Sequence, residues 1–220
     1  MSMSLRVVVP PHPLIGHWLT VLRDAQTPPA LYATALAELG RWLTYEALRD
    51  WLPHRTVPVQ TPLARTEGTV VEAGIPVLSV PLLRGGLGLW QGAQAVLPTA
   101  TVAHVAVEPA GPEDVLWRLD YLPESIGSRV GVLVYTAEVG DGRDLAAVLE
   151  RLRQRGVEGR RVRVITALTG RPGLSLLADR FPDLHLHCAC IDAELDPEGR
   201  LTPGIGDVVQ RLFGSLEGAA

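Results

Sequence analysis

From residue 75 onward the chain alternates between short unbroken apolar runs and stretches with helical spacing. The runs are IPVLSVPLL (75–83), ATVAHVAVE (100–108), RVGVLVYTA (129–137), RVRVITALT (161–169) and LHLHCACID (184–192). Between them lie RGGLGLWQGAQAVL (84–97), Asp144 to Arg155, and GLSLLADRF (173–181), each read as a helix. A strand apolar on both sides is buried on both sides. Such strands joined by helices predict an α/β fold with a central parallel sheet flanked by helices.

The first 74 residues follow other patterns. Prolines 10, 11 and 13 in VVVPPHP block regular structure. LIGHWLTVLRD (14–24) predicts a short helix with Leu14, Trp18, Val21 and Leu22 on one side. PPALYATALAELGRWLTYEALRDWL (28–52) predicts a longer one, with Leu31, Ala35, Leu39, Trp42 and Leu43 as its apolar face. Pro28 and Pro29 set its start and Pro53 follows its end. The proline-interrupted segment 55–72 suits an edge hairpin or β-arm. No repeat or second core-sized segment is visible, so 1–220 is read as one domain.

Composition narrows the chemistry. A chain of 220 residues with 47% hydrophobic content can bury a full α/β core. No apolar run is long enough to span a membrane, and MSMSLRVVVPPHP carries no secretory pattern, so a cytoplasmic protein is expected. Net charge is −4, and the arginine-rich stretch Arg151–Arg163 reads as a solvated helix end, so neither nucleic acid nor membrane is expected as a partner. All 20 basic residues are arginine. The absence of lysine excludes a Schiff-base or P-loop lysine, leaving guanidinium groups and backbone amides to hold any anion. No metal site is expected at His185, His187, Cys188 and Cys190, because strand alternation puts the histidines and cysteines on opposite faces. The five tryptophans read as core or interface residues, with Trp90 and Trp117 the interface candidates.

Ligands of parallel sheets bind beyond the carboxyl ends of the strands, which directs attention to three loops. Arg84-Gly85-Gly86-Leu87-Gly88 offers a cation and close backbone approach. Thr136-Ala137-Glu138-Val139-Gly140-Asp141-Gly142-Arg143-Asp144 is a strand-to-helix corner of the kind that holds phosphate, yet it is rich in carboxylates. In residues 197–214 the series Pro203, Gly204, Gly206 and Asp207 imposes a rigid path able to read a planar base. Asp207 there either accepts sugar hydroxyls or caps the next helix.

With these loops in view, the chain resembles uracil phosphoribosyltransferase over nearly its whole length. The resemblance is carried by HPLIGHWLTVLRD (12–24), LTYEALRD (43–50), VPLLRGGLGL (80–89) and TPGIGDVVQRLFG (202–214). It implies a type I phosphoribosyltransferase fold with a five-stranded parallel core, a small hood, and dimers or larger homo-oligomers built through an extended β-arm. It implies transfer from phosphoribosyl pyrophosphate (PRPP) to uracil, giving UMP and pyrophosphate, with Mg2+. Carried over by position, Arg84 touches PRPP phosphates, the backbone near Leu201, Gly206 and Val208 reads uracil, and Asp207 lies on the ribose side.

The resemblance breaks at 136–144, where the family reads close to D-P-M-L-A-T-G-G-S. Thr136 stands at the ribose-binding acid, while Asp141 and Asp144 stand at phosphate-binding hydroxyls. Glu108-Pro109, Tyr121 and Arg200 replace an arginine, a lysine and a tyrosine of the family pattern. On this ground the sequence is read as a weakly active or non-catalytic homologue, serving as a binding, regulatory or scaffold module. Uracil, a nucleotide or a protein partner would be its ligand, with no cofactor and Asp207 the one catalytic candidate. The alternative is an active uracil phosphoribosyltransferase of pyrimidine salvage that uses Mg2+.

Overall fold

The computed structural model describes residues 4–72, 76–111 and 114–214. In chain order it contains β1 (Arg6–Val8), α1 (Pro13–Arg23), α2 (Pro29–Leu48), β2 (His54–Gln60), β3 (Arg65–Val71) and β4 (Val77–Pro81). There follow α3 (Gly86–Ala93), β5 (Thr101–Val102), β6 (Val105–Pro109), β7 (Val115–Asp120), β8 (Gly131–Val139) and α4 (Arg143–Gln154). The chain continues with β9 (Val162–Thr169), α5 (Arg171–Arg180), β10 (His185–Ile191), β11 (Glu194–Leu195), β12 (Leu201–Thr202) and α6 (Val208–Phe213).

The central sheet is parallel throughout, in the order β1-β10-β9-β8-β4-β5. Strand β8 shows how the sequence builds it. Val132 and Val134 pack into the core layer under α4, whereas Leu133 and Tyr135 pack into the layer shared with α2 and α3. An element that alternates between two cores must be apolar at every position, and Val132 to Ala137 are all buried apart from solvent. From β4 the chain moves outward to β5, then returns through β8 to β9 and β10 on the other side. Strands β4 and β8 therefore flank the point where strand order reverses, the usual ligand crevice of such sheets.

Segment 55–72 forms the expected hairpin, β2 against β3, with most of its side chains exposed. Four expectations change. VVVPPHP is not wholly irregular, because Arg6–Val8 joins the sheet as a sixth, edge strand beside β10, ahead of the prolines. ATVAHVAVE is not one strand: Thr101–Val102 edges the sheet, and Val105–Pro109 turns away to pair with β7. Of the α1 face chosen from sequence, Leu22 is buried and Trp18 and Val21 pack against the core, but Leu14 is 41% exposed, and Ile15 and Leu19 complete the buried side. Likewise Leu31 of α2 is exposed and Tyr32 is fully buried. Ile75, which opens one predicted strand, lies outside the described residues.

Candidate active site

Beyond the carboxyl ends of β4 and β8 lies a cavity of about 350 Å3, within the size range of small-ligand sites. Its walls come from all three loops singled out by sequence. Leu82 to Gly86 follow β4, Thr136, Ala137 and Glu138 end β8, Asp144 opens α4, and Arg200 with Gly206 to Val209 close the far side. The first two loops touch directly: a Cβ on Gly86 would sit 2.2 Å from the Tyr135 carbonyl oxygen, so the Arg84 turn lies against β8 only with glycine there. The Leu83–Arg84 and Thr202–Pro203 peptides are cis.

Glu138 is the chemically distinctive wall residue. Thr136 and Glu138 both line the cavity, so an acid absent at 136 is present two residues on, at 138. Thr136 is buried and its hydroxyl donates to the Glu138 carbonyl oxygen at 3.1 Å. Burial, reinforced by the neighbouring carboxylate of Asp192, pushes the Glu138 carboxyl up to about 7, while a backbone hydrogen bond from Ile205 pulls the other way. A carboxyl poised near neutrality in a cleft marks a functional position.

The carboxylates of the strand-to-helix corner are less exposed to a ligand than their count suggests. Asp141 accepts both the amide (3.0 Å) and the Nε (2.7 Å) of Arg143, whose guanidinium also reaches the Gly111 carbonyl. Asp144 accepts the Leu145 amide at 2.7 Å, and burial foremost raises its carboxyl toward the neutral form. The expected negative rim is thus offset by Arg143 at Asp141, while burial weakens the preference for charge at Asp144. Gly142, with φ +80°, makes the turn into α4. Val139, Gly140, Asp141, Gly142 and Arg143 stand outside the cavity wall.

The C-terminal loop is held from below. Asp192, directly after β10, receives two hydrogen bonds from Arg23 and one from the Gly204 amide. Burial acts to raise its carboxyl, but the Arg23 and Gly204 bonds outweigh it and hold Asp192 below the ordinary range. Arg211 donates to the carbonyls of Leu22, Asp24 and Ile205 and covers the Tyr32 ring at 4.1 Å. Gly206, Asp207 and Val208 thereby reach the cavity wall, while Leu201 lies buried beneath it, its strand paired with β11. Asp207 caps α6 through the Gln210 amide at 2.9 Å, so the capping role is present whatever else its carboxylate does. Arg200, which sequence counted as a lost aromatic, brings a second guanidinium to the wall, paired with Asp196 and Glu198.

A profile of the uracil phosphoribosyltransferase family matches residues 9–215. The chain belongs to that family. A uracil phosphoribosyltransferase of Synechococcus elongatus is 45% identical over 217 residues, covering 98% of this chain and all of that protein. One of Nostoc is 42% identical over 216 residues with the same coverage, and the chloroplastic uracil phosphoribosyltransferase of Arabidopsis thaliana is 36% identical over 97% of this chain and 73% of its own length. Among solved structures, the AQ2163 protein from Aquifex aeolicus aligns with a TM-score of 0.82 at 26% identity, covering 94% of this chain and 98% of that one. As a family member the chain has the type I phosphoribosyltransferase fold, here with a six-stranded sheet and the small β11–β12 ribbon over its carboxyl end.

The family frame exposes what motif reading passed over. Arg23, Asp192 and Arg211, which fix the loop, lie in segments quoted for other reasons, and only Asp192 had a positional signal, ending the last apolar strand. The described residues hold no cluster of three His, Cys, Asp or Glu side chains able to cage a metal. No helix among them is long and apolar enough to cross a membrane.

Proposed function

We propose that this protein is an active uracil phosphoribosyltransferase, joining uracil to PRPP in pyrimidine salvage. The observation that carries this reading is the meeting of Arg84, Glu138 and Asp207 in one cavity, under a loop whose backbone is held rigid. Arg84 forms no ion pair with any described residue, so its charge is available to the diphosphate. Glu138 and Asp207 are placed to accept ribose hydroxyls, Glu138 standing in for the acid absent at Thr136. The backbone from Gly204 to Val208 reads the edge of uracil. Relatives named for this activity at 39–45% identity over nearly the whole chain favour it over a non-catalytic role.

Mg2+ fits this cavity as a guest of the substrate. It is a hard ion that keeps water and takes one or two carboxylates along with substrate phosphates, and Glu138 and Asp207 are the oxygen donors on hand. Its chemistry would be to neutralise the departing diphosphate. The protein's own share is to orient the sugar and hold the base. A homodimer or larger homo-oligomer through the exposed β2–β3 hairpin, and a cytoplasmic location, belong to the same reading.

One observation favours a second reading, that of a weakly active binding module: the amides of Arg143 and Leu145, in the first turn of α4, are already donated to Asp141 and Asp144. Incubating the pure protein with labelled uracil, PRPP and Mg2+ decides between them. UMP formation dependent on all three supports the enzyme, and no UMP above a protein-free blank overturns it.

A further inference from the structure

The opposite end of the sheet carries a second concentration of charge. Around the amino ends of β1, β9 and β10 lies an open groove of about 800 Å3. The parallel register sets Arg6 beside His185 and His185 beside Arg163, so three basic side chains form one row across adjacent strands. Arg160, from the turn before β9, adds another guanidinium to the wall and makes no ion pair with a described residue. Arg163 is the second residue of β9, which ends at Thr169, so this row lies roughly 20 Å from the carboxyl end of the sheet at strand spacing.

Three guanidinium groups here face two carboxylates, Asp50 and Asp183. Asp50 is shared: it lies 2.8 Å from Arg163 and 3.7 Å from Arg6. Arg163 is the telling member, since its side chain is only 5% exposed and its buried Nε has no hydrogen-bond partner. Arg163 also donates to the Ala47 carbonyl, which fixes its guanidinium at the groove, and an oxyanion with several acceptor atoms is the natural complement to a row of guanidinium groups. Burial and the charges of Arg163 and Arg6 also hold His185 below its ordinary range, consistent with excess positive potential.

We propose that this groove is a second binding site, for a phosphate-bearing anion, separate from the catalytic cavity. Arg6, Arg160 and Arg163 supply its donors. Nothing in this assignment depends on which reaction the cavity performs.

The test uses the full chain carrying Arg84→Ala, so that phosphate at the proposed active site does not contribute. Inorganic phosphate and a nucleoside triphosphate are titrated calorimetrically at low ionic strength, with and without Arg6→Gln and Arg160→Gln. Both added changes are at exposed positions, and an unchanged urea midpoint checks that folding is intact. The expected result is saturable binding to the Arg84→Ala protein, weakened about tenfold for each further arginine removed. Tighter binding of the triphosphate identifies a nucleotide as the ligand class, and equal binding identifies phosphate itself. No saturable binding of either ligand, or equal affinity after the two added changes, overturns the proposal.

Discussion

Arg23 and Asp192 stand 169 residues apart in sequence and meet in a two-point ion pair, Nη1 to Oδ2 at 2.8 Å and Nη2 to Oδ1 at 2.6 Å. The pair joins the end of α1 to the end of β10. It also carries the C-terminal loop, because Asp192 accepts the Gly204 amide and Arg23 donates to the Gly204 carbonyl. A single contact thus sets the floor of the proposed base site.

Arg23→Ala leaves the Asp192 carboxylate, whose side chain is 3% exposed, without its cation. Breaking one partner of a buried pair costs on the order of 3 kcal/mol, and a displaced loop raises the KM for uracil about tenfold. Urea denaturation and initial rates check the two effects separately. Because Asp192 is held below its usual 3.8, the stability it confers is complete above that pH and is lost as pH falls through its folded-state value. The variant therefore shows a weaker acid dependence than the parent.

Glu138→Gln separates stability from catalysis. The folded carboxyl titrates near 7 and the free side chain near 4.5, so between those values the folded state binds more protons than the unfolded state. Stability then falls as pH rises through that window and levels off above it, by up to roughly 3 kcal/mol for a shift of this size. Glutamine removes the dependence, so the variant unfolds at a higher urea concentration than the parent at pH 8, with the gap closing near pH 4.5. The same change is expected to cut kcat/KM for PRPP about a hundredfold. A parallel pH profile for both proteins would count against the assignment.

How much of this was legible in the sequence depends on the range of the contact. The parallel sheet followed from strands such as β8, whose run Val132 to Tyr135 is apolar at every position, a pattern set by burial on both faces. The three site loops followed from strand ends. The β6–β7 hairpin was not legible, because ATVAHVAVE looks continuous while the register shift between Ala106 and Val107 and the pairing with β7 depend on tertiary packing. Nor was the buried face of α1, where Leu14 and Ile15 are equally apolar and only the neighbouring α2 selects between them. At the site, Arg143 in 136–144 could be seen as a partner for one carboxylate, but not which one, nor that burial would act on the other. Asp141 is paired with Arg143, and Glu138 brings an acid to the cavity wall where Thr136 has none. Arg23, Asp192 and Gly204 meet only once the fold exists.

Gly204→Ala tests the rigidity of the base loop. Gly204 has φ +65°, and a Cβ there would lie 2.2 Å from the Leu201 carbonyl oxygen. Both the backbone region and the clash resist alanine, at a cost of roughly 1–3 kcal/mol. The amide that Asp192 accepts must then move. The expected outcome is a lower melting temperature and a KM for uracil raised more than that for PRPP; equal effects on both substrates would place the loop's role elsewhere.

Asp141→Thr with Asp144→Ser tests whether the α4 corner still has phosphate-binding capacity. In the parent, Asp141 and Asp144 occupy the amides of Arg143 and Leu145, the donors a helix start offers to an anion. Replacing both frees those amides and the Arg143 guanidinium from Asp141. It also removes whatever repulsion of a phosphate remains after Arg143 has offset Asp141 and burial has disfavoured the charge on Asp144. The KM for PRPP is expected to fall about tenfold with the KM for uracil unchanged, as read from initial rates. Adding Thr136→Asp is expected to reverse part of the gain, since position 136 is 5% exposed and lines the same cavity as Glu138, so a second buried carboxylate would be added there. If Thr136→Asp instead improves PRPP binding further, the ribose contact belongs to position 136, and Glu138 does not replace it.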